Sequence, residues 1–513
     1  MLGWNKNKSD HPMAEDRSAR EFLAELPAAD PFKLLEELSF WLDRTRGADG
    51  LKPLRLFEIV DQLDTAGKVS QRKLALEFLS PGNRRSRFQE QRLWNTQIEF
   101  WRQLGAAYEL CLDKTLPGVS GAGALKPHLP AIVCRAIRAL TLELKWLLIR
   151  YGPVDPTLWS RLGSLYARAE RAGVQLKLCA VYPGQRGEST VQREYLKGLM
   201  LSVSATDCLL PRQLEVAERI IAHFSEYFVL QNQLASGCLY HVDLAMARAP
   251  ARLATKVSPT ATGRYFGPGR ASEVAQKIVG IITSTGTYPS DLDLGGNYEP
   301  SVVTEVLHHL ARYWAPTPPT RSDERRRSVS RIHVVHDFDQ ILAIITGEST
   351  DLSFHDTIET WTVENESDGG YGALIAQSKG DWLKVGTLLG IKREDGAAWG
   401  VGIVRRLTSG SGQQPYVGIQ TLAKGGARVK LFPTGERQAR ASSGTDAVLL
   451  PSSKSQSSGT GELSLLMRMG TFSPGQSLQM RAYEREYLLV PKELLEGGED
   501  FDMATFRILQ RAA

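Results

Sequence analysis

The spacing of apolar residues changes period near residue 235. Before that point apolar positions recur at intervals of three and four: Leu34, Leu35, Leu38, Trp41 and Leu42, then Leu54, Leu56, Ile59, Val60 and Leu63, then Leu74, Leu76, Phe78 and Leu79. Such spacing puts them on one face of a helix, the face that must be buried. Asp30 followed by Pro31 supplies a helix start, with a carboxylate for the first-turn amides and a ring already at helical φ. Beyond residue 235 the pattern becomes short apolar runs separated by turn residues, which predicts strands. They fall at 238–246, 382–389, 399–407, 416–422, 427–432, 463–469, 477–483 and 486–489. Amphipathic helices are expected at 271–282 and 300–314. The run APTPPT at 315–320 cannot continue a helix and marks a boundary. The Ser/Gly-rich 451–462 reads as a flexible connection. The predicted architecture is multidomain α+β. A polar leader (1–30) precedes an all-α helical-hairpin domain (31–236), an α+β connector (237–320), an antiparallel β-barrel (321–433) and a small C-terminal β-rich extension (434–513).

Composition narrows the class. Lys and Arg number 62 against 57 Asp and Glu, a net charge of +5, too small an excess for a general DNA or RNA binder. Hydrophobic residues at 42% and charged residues at 23% exclude a disordered or collagen-like chain. The most apolar stretch, 131–149, is cut by Arg135, Arg138, Glu143 and Lys145, so no membrane insertion is expected. The N-terminus has no apolar core of a secretion signal. The cysteines, Cys111, Cys134, Cys179, Cys208 and Cys238, lie at least 23 positions apart without a CxxC pair. That spacing argues against a zinc site or a redox pair and for reduced thiols in a cytoplasmic protein.

Two helical segments share the form W-x2-L-G-x2-Y, Trp101–Tyr108 and Trp159–Tyr166, 58 positions apart. They resemble the first helix of tetratricopeptide repeats, in which Gly lets a neighbouring element approach closely. The separation does not fit a tandem array, so an ordinary helical bundle remains an equally open reading. In either form the region offers no catalytic constellation and suits protein docking.

The chemistry gathers after the Pro-rich break. Residues 321–331 hold five arginines, Arg321, Arg325, Arg326, Arg327 and Arg331, against Asp323 and Glu324. A strand follows, and later Asn365-x-Ser367-x-x-Gly370 at the end of another strand. Arginine offers a planar fork to guanine O6 and N7, pairs with phosphate oxygens and stacks on a base. Asn365 and Ser367, at alternate positions of an extended segment, present an amide and a hydroxyl to one face.

The order Arg327-x-x-x-Arg331, then Asn365-x-Ser367-x-x-Gly370, then a run of strands resembles the PilZ family of cyclic-di-GMP receptors, over about residues 320–433. The resemblance implies cyclic-di-GMP as ligand. It further implies that Arg327 and Arg331 grip guanine and phosphate, with Arg326 and Arg325 as helpers. Asn365 and Ser367 would read the base, and Gly370 would allow close approach. The arginine segment would be a loop that orders on the ligand. The two halves stand 34 positions apart between Arg331 and Asn365, long for the family, and a hairpin insert at 347–355 is the expected cause.

Other candidates fall away. His333 and His336, three apart on a strand, face opposite sides and cannot share a metal ion. His308 and His309 read as a surface pair. Gly267–Arg270 lacks the Lys-Ser/Thr of a phosphate loop. The chain shows no G-x-S-x-G, no H-E-x-x-H, no kinase set, and nothing resembling the enzymes that make or cleave cyclic-di-GMP. The expectation is a non-enzymatic bacterial effector, without metal, that signals to a protein partner through its helical domain. Beside it stands a helical scaffold or adaptor whose barrel is degenerate and binds no nucleotide.

Overall fold

The helix start expected at Asp30 forms: its side chain accepts from the backbone N–H groups of Phe32 and Lys33, and Pro31 is the first helical residue. The computed structural model describes residues 11–510 apart from 49, 81–85, 183–186, 254–257, 318, 320–324, 347–356, 377–381, 410–413, 435–443, 452–460 and 483–484. It divides into two units, residues 1–320 and 321–513.

The first unit begins with α1 (Asp16–Glu25), α2 (Pro31–Arg44), α3 (Pro53–Leu79), α4 (Arg87–Asp113), α5 (Leu129–Ile149), α6 (Thr157–Arg171), α7 (Val191–Val203) and α8 (Pro211–His223). Helix α5 is buried around most of its circumference, which explains why its sequence looked nearly membrane-like. Arg135 is tolerated there because it donates to the Val181 carbonyl and pairs with Asp61. Arg138 forks onto Glu194 at 3.0 and 2.9 Å. The two W-x2-L-G-x2-Y helices use their glycines for close approach, but to different neighbours. At Gly105 a Cβ would stand 3.0 Å from a Leu140 methyl on α5; at Gly163 it would stand 2.3 Å from the backbone oxygen of Leu244. The second neighbour is a turn after a strand, not a helix, so the shared sequence does not build a shared hairpin.

A four-stranded antiparallel sheet follows, from β1 (Val229–Gln231), β2 (Tyr240–Asp243), β3 (Ala251–Arg252) and β4 (Gly263–Gly267), in the order β1-β4-β2-β3. Helices α9 (Ala271–Thr285) and α10 (Pro300–Tyr313) complete the unit. One apolar cluster runs from Met13 to Trp314, so residues 229–314 share the core of α1–α8. Folding also brings Cys134 and Cys179 together, their sulfurs 3.7 Å apart, although 45 residues separate them in sequence. Both are free thiols in this contact.

The second unit contains two closed barrels. The first is built from β5 (Arg326–His336), β6 (Glu359–Ser367), β7 (Gly370–Leu374), β8 (Leu388–Arg393), β9 (Gly400–Thr408) and β10 (Tyr416–Ala423), with α11 (Phe338–Thr346) between β5 and β6. The second is built from β11 (Ala427–Pro433), β12 (Thr445–Leu450), β13 (Glu462–Arg468), β14 (Leu478–Ala482), β15 (Arg485–Gly497) and β16 (Phe501–Gln510). All pairings are antiparallel. With the strands of each barrel counted in chain order, both close through the same cycle, one-two-three-six-five-four. What the sequence suggested was a small β extension is a second barrel of the same topology.

Two strand expectations need correction. The strand expected at 382–389 runs Leu388–Arg393, because Trp382 sits outside it, stacked on His336 with centroids 4.0 Å apart. The strand at 427–432, expected to belong to the first barrel, pairs instead with β12 and β14. The first barrel has no place for it, since β10 already closes against β9 and β7. The hairpin insert expected at 347–355 lies outside the described residues. Part of the extra spacing is the apolar helix α11, whose start is fixed by the Asp337 side chain accepting from the Asp339 amide.

Candidate functional site

Strands β5 and β6 place the two half-motifs side by side. Arg326 stands opposite Glu366 and Arg327 opposite Asn365; after a bulge Ser330 faces Val363 and Arg331 faces Thr362. The arginine segment therefore departs from the expected loop. From Arg326 onward it is strand, because the end of β6 supplies backbone partners for it. Arg321 lies outside the described residues. Arg326, Arg327 and Arg331 are exposed. Arg326 and Arg327 have no ion pair with another described residue, while Arg331 stands 3.9 Å from Glu394. Arg393 pairs with Glu366 at 3.0 Å and with Asp395 at 2.9 Å. The arginines thus share this end of the barrel with acidic side chains.

Asn365 is the centre of a small polar cluster. Arg325 donates through Nη1 to Asn365 Oδ1 at 2.5 Å and to the Tyr416 hydroxyl at 3.1 Å; Asn365 Nδ2 lies 3.3 Å from the same hydroxyl. The cluster covers Gly372, where a Cβ would stand 2.1 Å from Tyr416 Oη, 2.6 Å from Asn365 Oδ1 and 2.7 Å from Arg325 Nη1. Gly370, which ends the second half-motif, faces Ser367 across the hairpin; a Cβ there would stand 1.9 Å from the Ile419 carbonyl. Only a residue without a side chain lets β7 pass this close to β10.

Register extends the site beyond the motif. Arg327 faces Asn365, Asn365 faces Gly372, Gly372 faces Gly418, and Gly418 faces Arg406. At the usual spacing between strands this row is about 19 Å long. It has arginine at each end and two adjacent glycines in the middle. Both glycines are buried, and the place a Cβ would take at Gly372 is filled by Tyr416, Asn365 and Arg325, so a planar anion reaches this backbone only when that cluster moves. Gly372, Gly418, Tyr416 and Arg406 were not singled out from the sequence. The available signal was glycine inside apparent strands, which marks close backbone approach.

The remaining candidates resolve as structure. His333 contacts Thr360 Oγ1 at 3.2 Å and His336 stacks on Trp382, so they do not share a site. His309 is half-buried, its Nε2 2.7 Å from the Ser204 carbonyl, and is not a surface residue as expected. Among the described residues no three His, Cys, Asp or Glu side chains gather as metal ligands. Asp64, fully buried, accepts from the Tyr108 hydroxyl at 2.6 Å, and burial holds its carboxyl above the usual range. It is packed among Tyr108, Arg135 and Tyr182 and belongs to the core.

Comparison with known proteins gives two matches. Residues 17–235 match the N-terminal domain of the family described as cyclic-di-GMP receptor FimW. Residues 345–427 match the middle PilZ domain of the same family. The second match contains Asn365, Ser367, Gly370, Gly372 and Gly418, begins after the arginines, and ends at the first residue of β11. No curated protein and no solved structure matches the chain.

Proposed function

Because the chain belongs to the cyclic-di-GMP receptor family that joins an N-terminal domain to a middle PilZ domain, we propose that it takes up the dinucleotide on the outer row of its first barrel and carries the bound state to a protein partner through its helical unit. The observation that supports this placement is the register that sets Arg327 beside Asn365 and continues across two glycines to Arg406. Arg327 and Arg331 supply charge and forked donors to the phosphates and guanines, with Arg326 and Arg325 adjoining them. Asn365 and Ser367 offer an amide and a hydroxyl to a base edge. Gly370 and Gly372 add no side chain of their own, and at Gly372 this makes room for the Arg325, Asn365 and Tyr416 cluster. Each bidentate guanidinium contact is worth about 1–3 kcal/mol of discrimination against a wrong base. A micromolar affinity corresponds to about −8 kcal/mol, which these contacts reach only together with phosphate pairing and base stacking, after ordering costs.

Arg325 already occupies Asn365 in the structure. On this reading it moves aside or shares the amide oxygen, which has two lone pairs. The dinucleotide needs neither a metal ion nor a bond-breaking step, and the protein acts as a receiver of the signal, working in the cytoplasm. Among the described residues no helix is long and apolar enough to cross a membrane.

Titration calorimetry with cyclic-di-GMP, followed by GTP as competitor, tests the proposal. Saturable binding that about 1 mM GTP does not displace is the expected result. Displacement by GTP at its own weak affinity would reduce the site to a general anion trap. Absence of binding would favour the scaffold reading.

A further inference from the structure

The two barrels can be aligned strand by strand, because both follow the same closed cycle. In each, strand one begins with a residue followed by an arginine: Arg326 and Arg327 in β5, Ala427 and Arg428 in β11. Following the register outward from that arginine gives two rows. The first barrel reads Arg327, Asn365, Gly372, Gly418, Arg406. The second reads Arg428, Val448, Leu466, Met503, Glu496.

The second row keeps the first arginine and differs at the other four positions. The polar amide is valine. Both glycines are large apolar side chains, and Val448 and Leu466 are completely buried. Arginine at the far end is replaced by Glu496, which receives the forked guanidinium of Arg405 at 2.5 Å on each oxygen. Arg428 is held by Asp446 at 2.9 and 2.8 Å. Only residues 424–426 separate β10 from β11, so no arginine-bearing segment precedes strand one.

What buries this row is also visible. Val448, Leu450, Leu466 and Phe501 form one apolar cluster with Phe338, Ile341, Leu342 and Ile344 of α11, and Met503 packs against it. None of these second-barrel residues belongs to that barrel's interior, which is a separate cluster around Leu431, Leu465, Met480 and Phe506. Polar contacts fix the same helix. Asp500 accepts from the Phe338 amide at 2.9 Å, and Arg468 pairs with Asp339 while lying over the Phe338 ring.

We infer that the second barrel is an internal copy of the ligand barrel whose ligand face has become the seat of helix α11, so that the chain carries one dinucleotide face under a polar cluster that can move and one closed by apolar packing. The seated helix springs from the segment between β5 and β6, the two strands that carry the arginines and Asn365. The second barrel is thus an intramolecular partner of the receptor barrel and takes no nucleotide. The statement about the dinucleotide face rests on the function proposed above; the statement about the seat does not.

The experiment has two arms, both on the full chain. In the first, hydrogen exchange of the α11 amides is followed in the parent and in Leu466→Ala. Loss of the leucine should speed α11 exchange roughly tenfold or more, with little change at α5 in the other unit. Met503→Ala, at the edge of the cluster, should act in the same direction more weakly, and serves if Leu466→Ala does not fold. Unchanged α11 exchange in both variants would overturn the seat. In the second arm, cyclic-di-GMP is titrated into Arg327→Ala/Asn365→Ala. No remaining saturable site is expected; a second site with undiminished affinity would overturn the closed face. If the parent binds nothing, the proposed function fails while the exchange arm still decides the role of the second barrel.

Discussion

In the first barrel the middle of the outer row is Gly372 and Gly418; in the second, the corresponding positions are Leu466 and Met503. Strand order, closure and antiparallel pairing are the same in both. The difference in use therefore comes from one layer of side chains and not from the backbone. Glycine leaves backbone within reach of a flat, charged ligand once the cluster over it moves, but contributes nothing to stability by itself. Leucine and methionine at the same places exclude such a ligand and bury apolar surface against a helix. One row is covered by a polar cluster and its counterpart by apolar side chains packed against a helix, which gains burial.

The largest expected effects come from breaking either side of this contrast. Replacing both Arg327 and Arg331 by alanine should weaken cyclic-di-GMP binding about 100-fold or more, since two bidentate contacts are lost. Arg428→Ala, the counterpart on the filled face, should leave affinity unchanged by calorimetry. On that face Leu466→Ala should cost about 2–5 kcal/mol of stability, read by denaturant unfolding, because a fully buried side chain leaves a cavity behind.

A transplant sharpens the comparison. Gly372→Leu places the second barrel's residue in the first barrel's row. The new Cβ alone would meet Tyr416, Asn365 and Arg325 within 3 Å. Affinity should fall at least about tenfold, with Arg325 and Asn365 forced apart. A smaller effect is expected from Tyr416→Phe, which removes the hydroxyl shared by Arg325 and Asn365. About 0.5–1.5 kcal/mol is at stake there, measurable as a change in affinity of tenfold or less.

The smallest effect concerns the pair that ties down Arg428. Hydrogen bonds from Arg428 hold the Asp446 carboxyl below its ordinary range. A carboxyl depressed in the folded state adds stability above its unfolded pKa, and that stability is lost as pH falls through the folded value. The pair is about a third exposed, 31% and 27%, so screening limits it. Asp446→Asn should cost less than about 1 kcal/mol at pH 7. The difference from the parent should shrink as pH drops below about 4, followed by thermal unfolding across pH.

Local signals were legible in the sequence. The Asp30–Pro31 start and the helical period before residue 235 carry their meaning within a few residues, and the structure sets the proposed half-motifs at Arg327/Arg331 and Asn365/Ser367/Gly370 on neighbouring strands. What escaped was set by register. Tyr416 lies 51 residues from Asn365 and 91 from Arg325, and only the β7–β10 pairing brings it to them. The arginine segment looked like a loop because its charge density suits one; strand formation there depends on partners in β6, forty residues on. Helix α11 was missed because nine residues are too few for a clear period, and its apolar character reflects packing against both barrels. The second barrel looked like a few strands because its closure depends on β16 returning to β13, a pairing that no local pattern announces.

The central claim is that one barrel face, and not its copy, takes up cyclic-di-GMP. It is tested most directly by calorimetric titration of the full chain, the Arg327→Ala/Arg331→Ala variant and the Arg428→Ala variant. The account predicts saturable micromolar binding in the parent and in Arg428→Ala, and no measurable binding at about 100 μM ligand in the double variant. Equal affinity in all three proteins, or no binding by the parent at that concentration, would contradict it.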